Sequence, residues 1–281
     1  MKRFATMLVA ILAMAGAAAA APQASVESVQ YPAWLERGGA AVPLAPGIAL
    51  QPNDRLRTGA SARARLRLAD GSTVKLGEKA VFEFERGKSD GLLRTTLRVL
   101  AGAFRYTSLG GGALRNSPAI RVRNVTIGIR GTDLWGKSTD ERDLVCLIDG
   151  AIGVSSPGNP EVRLDKPLDF YQLPRGGEPA VDKVSEAQLA EWALETEMQA
   201  DGAVGKAGGG WRVVAARTAQ RNDALTLGRT LRAAGFPARL VEEAAGSYAT
   251  VVAGLESEAA AKALAANLRA SGGVAEPVVE R

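Results

Sequence analysis

The sequence predicts an α+β chain: a β-rich region, built as a sandwich or a solenoid-like roll, followed by a small ferredoxin-like sheet of βαββαβ order. Three observations predict it. Apolar and polar residues alternate with period two between residues 31 and 157, broken at short intervals by Asp-Gly and other glycine turns, the pattern of short antiparallel strands. The last third repeats one strand–helix–strand unit at an offset of 37 residues, and two such units in tandem make one sheet with both helices on one face. The first twenty residues have the texture of a segment that is removed rather than folded.

Taken in order, the chain opens on Lys2-Arg3, followed by an almost purely apolar stretch from Phe4 to Ala15 and an alanine tract from Ala17 to Ala21. A charged start, an apolar middle and a small-residue cleavage site are the parts of a secretory signal, here residues 1–20. A cut after Ala21 would leave Pro22 at the new N-terminus, so the expected cut follows Ala20. The apolar run is short for a bilayer span. No cysteine follows it to carry a lipid, and no later segment is apolar enough to cross a membrane. The expectation is a periplasmic protein of a Gram-negative cell with no transmembrane anchor after cleavage.

Residues 31–157 form the β domain. Leu66 and Leu68 alternate with Arg65 and Arg67, Ala69-Asp70-Gly71-Ser72 makes a turn, and Val74 and Leu76 resume. Further strands are expected at 97–100, 103–107, 120–125, 132–137, 144–148 and 151–154, with Asp149-Gly150 as a tight hairpin turn. Residues 158–210 form an irregular segment. Within it, 158–184 is rich in Pro and Gly and expected to trail along the surface. A helix over 185–199 is capped by Ser185, with Gln188 three residues on, and Leu189, Trp192 and Ala193 share the face that docks on the β domain. Asp201 to Gly210 reads as a flexible Gly-rich linker.

Residues 211–281 hold the repeat. Trp211-Arg212-Val213-Val214 and Tyr248-Ala249-Thr250-Val251-Val252 each open a strand, and each unit closes on a Leu-Arg-Ala-(Ala/Ser)-Gly run. Strand alternation puts Arg212, Val214 and Ala216 on one face of the first strand and Trp211, Val213 and Ala215 on the other.

Composition excludes whole classes of chemistry. There are no histidines among the 281 residues, which removes imidazole general bases, histidine triads and most zinc sites. The lone Cys146 sits in an apolar run and reads as a buried core residue. The net charge of +5 is mild, with bases spread among acids, so no nucleic-acid partner is expected. Ser72-Thr73-Val74-Lys75 has the Ser-x-x-Lys string of penicillin-binding enzymes, but on a strand residues three apart point to opposite faces. Asp140, Glu141 and Asp143 are the one dense acidic cluster of the β domain, and they read as solvated loop charge rather than as the carboxylate pair of a glycosidase. No cofactor, metal or catalytic residue is expected.

Three stretches of the β domain resemble the FecR-type domain: Asp54 to Ala62, Leu68-Ala69-Asp70-Gly71-Ser72, and Ile127-Gly128-Ile129-Arg130-Gly131-Thr132-Asp133-Leu134-Trp135. Gly59, Gly71 and Gly131 mark tight turns or close backbone approach, and Asp54, Asp70 and Asp133 are placed to accept backbone N–H bonds at strand ends or turns. The founding FecR-type protein acts on a sigma factor through a cytosolic arm; this chain has no such arm, so that activity is not implied. The C-terminal repeat resembles the SPOR domain, which binds peptidoglycan glycan strands that have lost their stem peptides. Asn222-Asp223-Ala224 matches its helix entry. The chain departs from the pattern where Val214 replaces a polar glutamine, Ala216 and Ala253 replace glycines, Thr218 an aromatic and Leu255 a phenylalanine.

The resemblance implies a non-enzymatic envelope protein whose SPOR-like domain binds peptidoglycan glycan strands while the FecR-like domain serves as an interaction module. The candidate glycan-binding residues are Arg212, Val214, Arg217, Gln220, Asn222, Tyr248 and Thr250. The alternative is an envelope protein–protein scaffold whose SPOR-like domain does not bind glycan.

Overall fold

A computed structural model describes residues 23–89, 92–108, 118–271 and 273–281; the expected signal segment lies outside them. The β-rich part contains β1 (Ala24–Gln30), β2 (Ala33–Arg37), β3 (Ala40–Pro43), β4 (Asp54–Thr58), β5 (Arg63–Leu68), β6 (Thr73–Leu76) and β7 (Val81–Ser89). It continues through β8 (Leu92–Thr107), β9 (Ala119–Val122), β10 (Val125–Ser138), β11 (Arg142–Ser155), β12 (Val162–Leu164), β13 (Asp169–Pro174) and β14 (Ala180–Lys183).

These strands form two layers that share three long, bent strands. The first half of β8 pairs with β7 and β9, and its second half pairs with β6 and β10. In the same way β10 meets β9 at its start and β8 at its end, while β11 meets β13 first and β12 later. Alternate residues of both layers (Leu56, Phe82 and Phe84 from one; Leu66, Leu76 and Phe104 from the other) meet in a single apolar core, as alternation with one buried face requires.

The bends correct the sequence reading. Asp149-Gly150 is no hairpin turn but lies inside β11, so the strands expected at 144–148 and 151–154 are one, and the strand expected at 132–137 is the second part of a longer one. The chain turns instead at Arg123-Asn124, and β10 and β11 run through. Gly150 has φ +90° and Gly131 has φ +56°, values that L side chains rarely adopt. A Cβ on Gly150 would fall 2.0 Å from the Gly131 carbonyl oxygen. The two glycines therefore let paired strands bend together from one layer into the other.

Residues 158–184, expected to trail, supply β12 to the edge of the first layer and β13 and β14 to the edge of the second. The helix α1 (Glu186–Leu194) follows, shorter than expected, with the Ser185 hydroxyl accepting the Gln188 N–H. It docks as its apolar face predicts. Trp192 stacks on Trp135 at 4.7 Å between ring centroids and contacts Phe170, and Leu189 packs on the same cluster, which holds Cys146.

The remainder holds β15 (Val204–Lys206), β16 (Trp211–Thr218), α2 (Arg221–Ala233), β17 (Arg239–Glu242), β18 (Tyr248–Leu255), α3 (Glu258–Ser271) and β19 (Val278–Glu280). Residues 201–210 were expected to be flexible. Instead β15 is hydrogen-bonded to β1 on one side and to β18 on the other, so both parts of the molecule are stitched through it. Its glycines serve close approach: a Cβ on Gly205 would strike the Tyr31 ring and hydroxyl, and one on Gly209 would lie 2.5 Å from the Gly254 backbone. The contact is extended by Trp34, whose Nε1 donates to the Ala233 carbonyl at 3.0 Å.

Within the repeat the strand order is β19-β16-β18-β17, all neighbours antiparallel. Both helices pack on one face, where Leu231, Leu264 and Leu268 meet Val213 and Val252. Helix α2 ends as its Leu-Arg-Ala-Ala-Gly run predicts. Gly235 takes φ +86°, its N–H bonds Arg232 O, and Phe236 N–H bonds Leu231 O, the two bonds of a Schellman cap.

Candidate functional site

The face of this sheet that carries no helix is defined by strand register, since residues paired across an antiparallel ladder share a face. Arg212 pairs with Ala253 and Glu280, Val214 with Val251 and Val278, and Arg217 with Ala249. Val251 and Ala249 continue to Arg239 and Val241 on β17. The face thus carries an apolar strip of Val214, Ala249, Val251, Val241 and Ala253 framed by charged side chains.

Those charges are tied together. Glu280 accepts Arg212 at 2.7 Å and Arg217 at 2.6 Å, and Arg217 also reaches Glu243 at 2.9 Å. Hydrogen bonding from Arg217, then from Arg212, holds the Glu280 carboxyl below its usual range, and Glu243 and Glu280 raise the Arg217 guanidinium. Each is partly solvated, so the pairs orient the side chains more than they stabilise the fold. Val278, 47% exposed, is the large apolar residue left open on this face.

The expected site residues divide accordingly. Arg212, Val214 and Arg217 lie on the helix-free face. Val214, expected to face ligand, is 1% exposed and forms the floor of the strip. Ala216 does not join them: a β-bulge between Val214 and Ala216 reverses the alternation and brings Arg217 to this face instead. Thr250 is corrected to the opposite face, where it is fully buried and donates to the Ala224 carbonyl of α2 at 3.0 Å. Tyr248, two residues earlier, shares that side by alternation. Trp211, opposite Arg212 by alternation, packs against the core, and the bulge at Gly254 turns its partner Leu255 to the same side. Gln220 and Asn222 are exposed at the start of α2, off the strip. Sequence reasoning missed Glu243, Glu280, Arg239 and Val278; the alternation in Val278-Val279-Glu280 was the available signal.

In the β-rich part, the motif carboxylates hold structure. Asp54 accepts Arg37 at 2.6 and 2.8 Å and the Gln51 N–H at 2.7 Å, and Asp70 accepts the Ser72 N–H. Asp133 departs from expectation: it sits at a bulge inside β10, and Arg105 grips it at 2.7 and 2.9 Å, with no backbone donor among the described residues. Asp143, expected as solvated loop charge, is fully buried, where Arg175 and Ser138 bind it. Lys75 reaches Glu197 at 2.5 Å, while the Ser72 hydroxyl accepts from Tyr106, so the Ser-x-x-Lys string forms no pair.

The FecR protein family matches residues 54–153, the stretch running from the Asp54 motif through the bent strands, and the SPOR domain family matches residues 207–279. The chain carries a FecR domain followed by a SPOR domain. No curated protein matches it. Two crystal structures resemble it, each of a Parabacteroides distasonis ATCC 8503 protein provisionally described as an anti-sigma factor. One is 17% identical with a TM-score of 0.43, covering 50% of this chain and 64% of that one. The other is 12% identical with a TM-score of 0.42, covering 78% and 91%. The SPOR match takes in β16 to β18 and all but the end of β19, so the helix-free face belongs to the SPOR domain. Among the described residues no helix is long and apolar enough to cross a membrane, and no cluster of acidic, cysteine or histidine side chains is arranged to hold a metal ion.

Proposed function

We propose that this is a non-enzymatic periplasmic protein, delivered by a cleaved signal over residues 1–20, that binds peptidoglycan glycan strands through the helix-free face of its SPOR domain. The single observation carrying this reading is that face: a shallow apolar strip framed by oriented arginines and glutamates, on an antiparallel sheet of order β19-β16-β18-β17. A sugar ring offers one apolar face and a rim of hydroxyls, and such a strip with polar edges complements both. The FecR domain, fixed to it through β15, is the module presented at the wall.

Cosedimentation tests this. The chain from residue 21 onward should pellet with sacculi stripped of stem peptides and pellet less with intact ones. Equal recovery in the supernatant with and without sacculi would sink the glycan assignment.

A second reading has its own support. Val214 puts an aliphatic side chain, flush with the strip, where the family often has a polar one. In that reading the face packs on another envelope protein and sugar does not bind. Crosslinking that recovers glycan and no protein partner would count against it.

A further inference from the structure

Where the SPOR sheet approaches the FecR domain, the helix-free face continues into a cleft of about 420 Å³. One wall is Arg239, Ala253 and Gly254 of the SPOR sheet; the other is Tyr31 and Pro46 of the β-rich part, with Lys206 to Gly209 as the floor. Neither domain alone makes this cleft. Its shape is fixed by the pairing of β15 with β1 and β18 and by the contact of Gly209 with Gly254.

Two features of the lining stand out. Lys206 and Arg239 are exposed, and among the described residues neither has an acidic partner, whereas the arginines of the strip, Arg212 and Arg217, are both paired. Tyr31 is 2% exposed, yet its hydroxyl has no hydrogen-bond partner among the described residues. Burial raises the Tyr31 hydroxyl above its ordinary range, so it stays protonated and available as a donor. Two unpaired cations and an unpaired hydroxyl lining one cleft define a site for an anion with hydrogen-bonding oxygens.

We propose that this cleft takes the carboxylate-bearing sugar of a stripped glycan strand, with Lys206 and Arg239 on the carboxylate and the Tyr31 hydroxyl donating to a sugar or carboxylate oxygen. Hydrolysing the amide that joins a stem peptide to its sugar leaves a free carboxylate at that point. In an intact strand the same position is a neutral amide carrying a bulky peptide. The cleft therefore adds to the discrimination between stripped and intact wall through cations that, unlike Arg212 and Arg217, have no acidic partner. The inference rests on the glycan reading of the SPOR face.

The test uses the chain from residue 21 onward against stripped sacculi, with carboxylates either free or methyl-esterified. The unaltered chain should bind the esterified material about tenfold more weakly, the scale of one charge-assisted contact. The double variant Lys206→Gln/Arg239→Gln should bind both materials with that lower affinity, and Tyr31→Phe should weaken binding to the free-carboxylate form. Both cations are exposed, so the double variant should keep its Tm. Undiminished binding by the double variant, or a double variant as sensitive to esterification as the parent, overturns the cleft and leaves the glycan reading standing. Failure of the unaltered chain to pellet at all overturns both.

Discussion

Asp143 illustrates how single residues carry this fold. It was legible as charge near a turn, but its partner Arg175 lies 32 positions away in sequence, so no local pattern could reveal the pair. Removing one member of a buried pair strands the other, at a cost of about 3 kcal/mol. Asp143→Ala should therefore lower the Tm by about 6–10 °C, while Asp140→Ala, fully solvent-exposed, should leave it unchanged. Gly150→Ala should be at least as severe, since it combines a left-handed φ with a 2.0 Å approach to the Gly131 carbonyl. A thermal melt in which Gly150→Ala matches the parent would refute the strand-bend assignment. Cys146, by contrast, was read correctly from its apolar neighbours. Desolvation, with a smaller contribution from Asp169, pushes its thiol up to about 12. It should resist thiol reagents at pH 8 in the native state and react fully once the chain is unfolded. Its folded value lies above the ordinary 9.0, so the neutral thiol supports the fold below pH 9, and that support fades as the pH rises toward 12. Glu280 has the opposite sign. Its folded value lies below the ordinary 4.5, so the stability it adds is present above that pH and disappears on acidification. Glu280→Gln should therefore lower the Tm at neutral pH, and the difference from the parent should close at the acid end.

At the scale of elements, what the sequence made visible was whatever repeats or alternates locally. The 37-residue offset located β16, β18 and both helices of the SPOR domain, and the Ser185 cap located α1. Long-range choices were not visible. Whether 144–148 and 151–154 are two strands with a turn or one bent strand depends on whether β13 and β12 lie beside them, and those strands come from a Pro- and Gly-rich stretch with a weak pattern. The same holds for Thr250: alternation placed Tyr248 and Thr250 together but could not say which side the helices take. Helix α1 is held by the stacking of Trp192 on Trp135 rather than by many apolar contacts, as its largely solvated face shows. Trp192→Ala should cost about 2 kcal/mol, measured by chemical denaturation, and should quench little beyond the loss of its own fluorescence if the FecR layers stay intact. A variant as stable as the parent would mean α1 is dispensable to the fold.

The whole molecule is organised around a strand that composition disguised. The run from Asp201 to Gly210 looks like a flexible tether, yet glycine serves equally where two backbones must touch, and here β15 joins β1 of the β-rich part to β18 of the SPOR domain. The two domains should therefore melt in a single transition, with protease cutting slow at residues 204–209; two separated transitions would mean the tether reading was right. A rigid junction also gives the cleft between the domains a fixed shape, and it fixes the SPOR face relative to the β-rich part. The central claim is that stripped glycan lies on the helix-free face. Two adjacent valines on β19 test it most directly, because Val278 belongs to that face and Val279 to the side packed on the helices. Methyl NMR of the full chain, titrated with soluble stripped glycan fragments, should shift Val278 while leaving Val279 and Val252 in place. Shifts confined to Val279 and Val252, or no shift at either valine of the pair, would contradict the account.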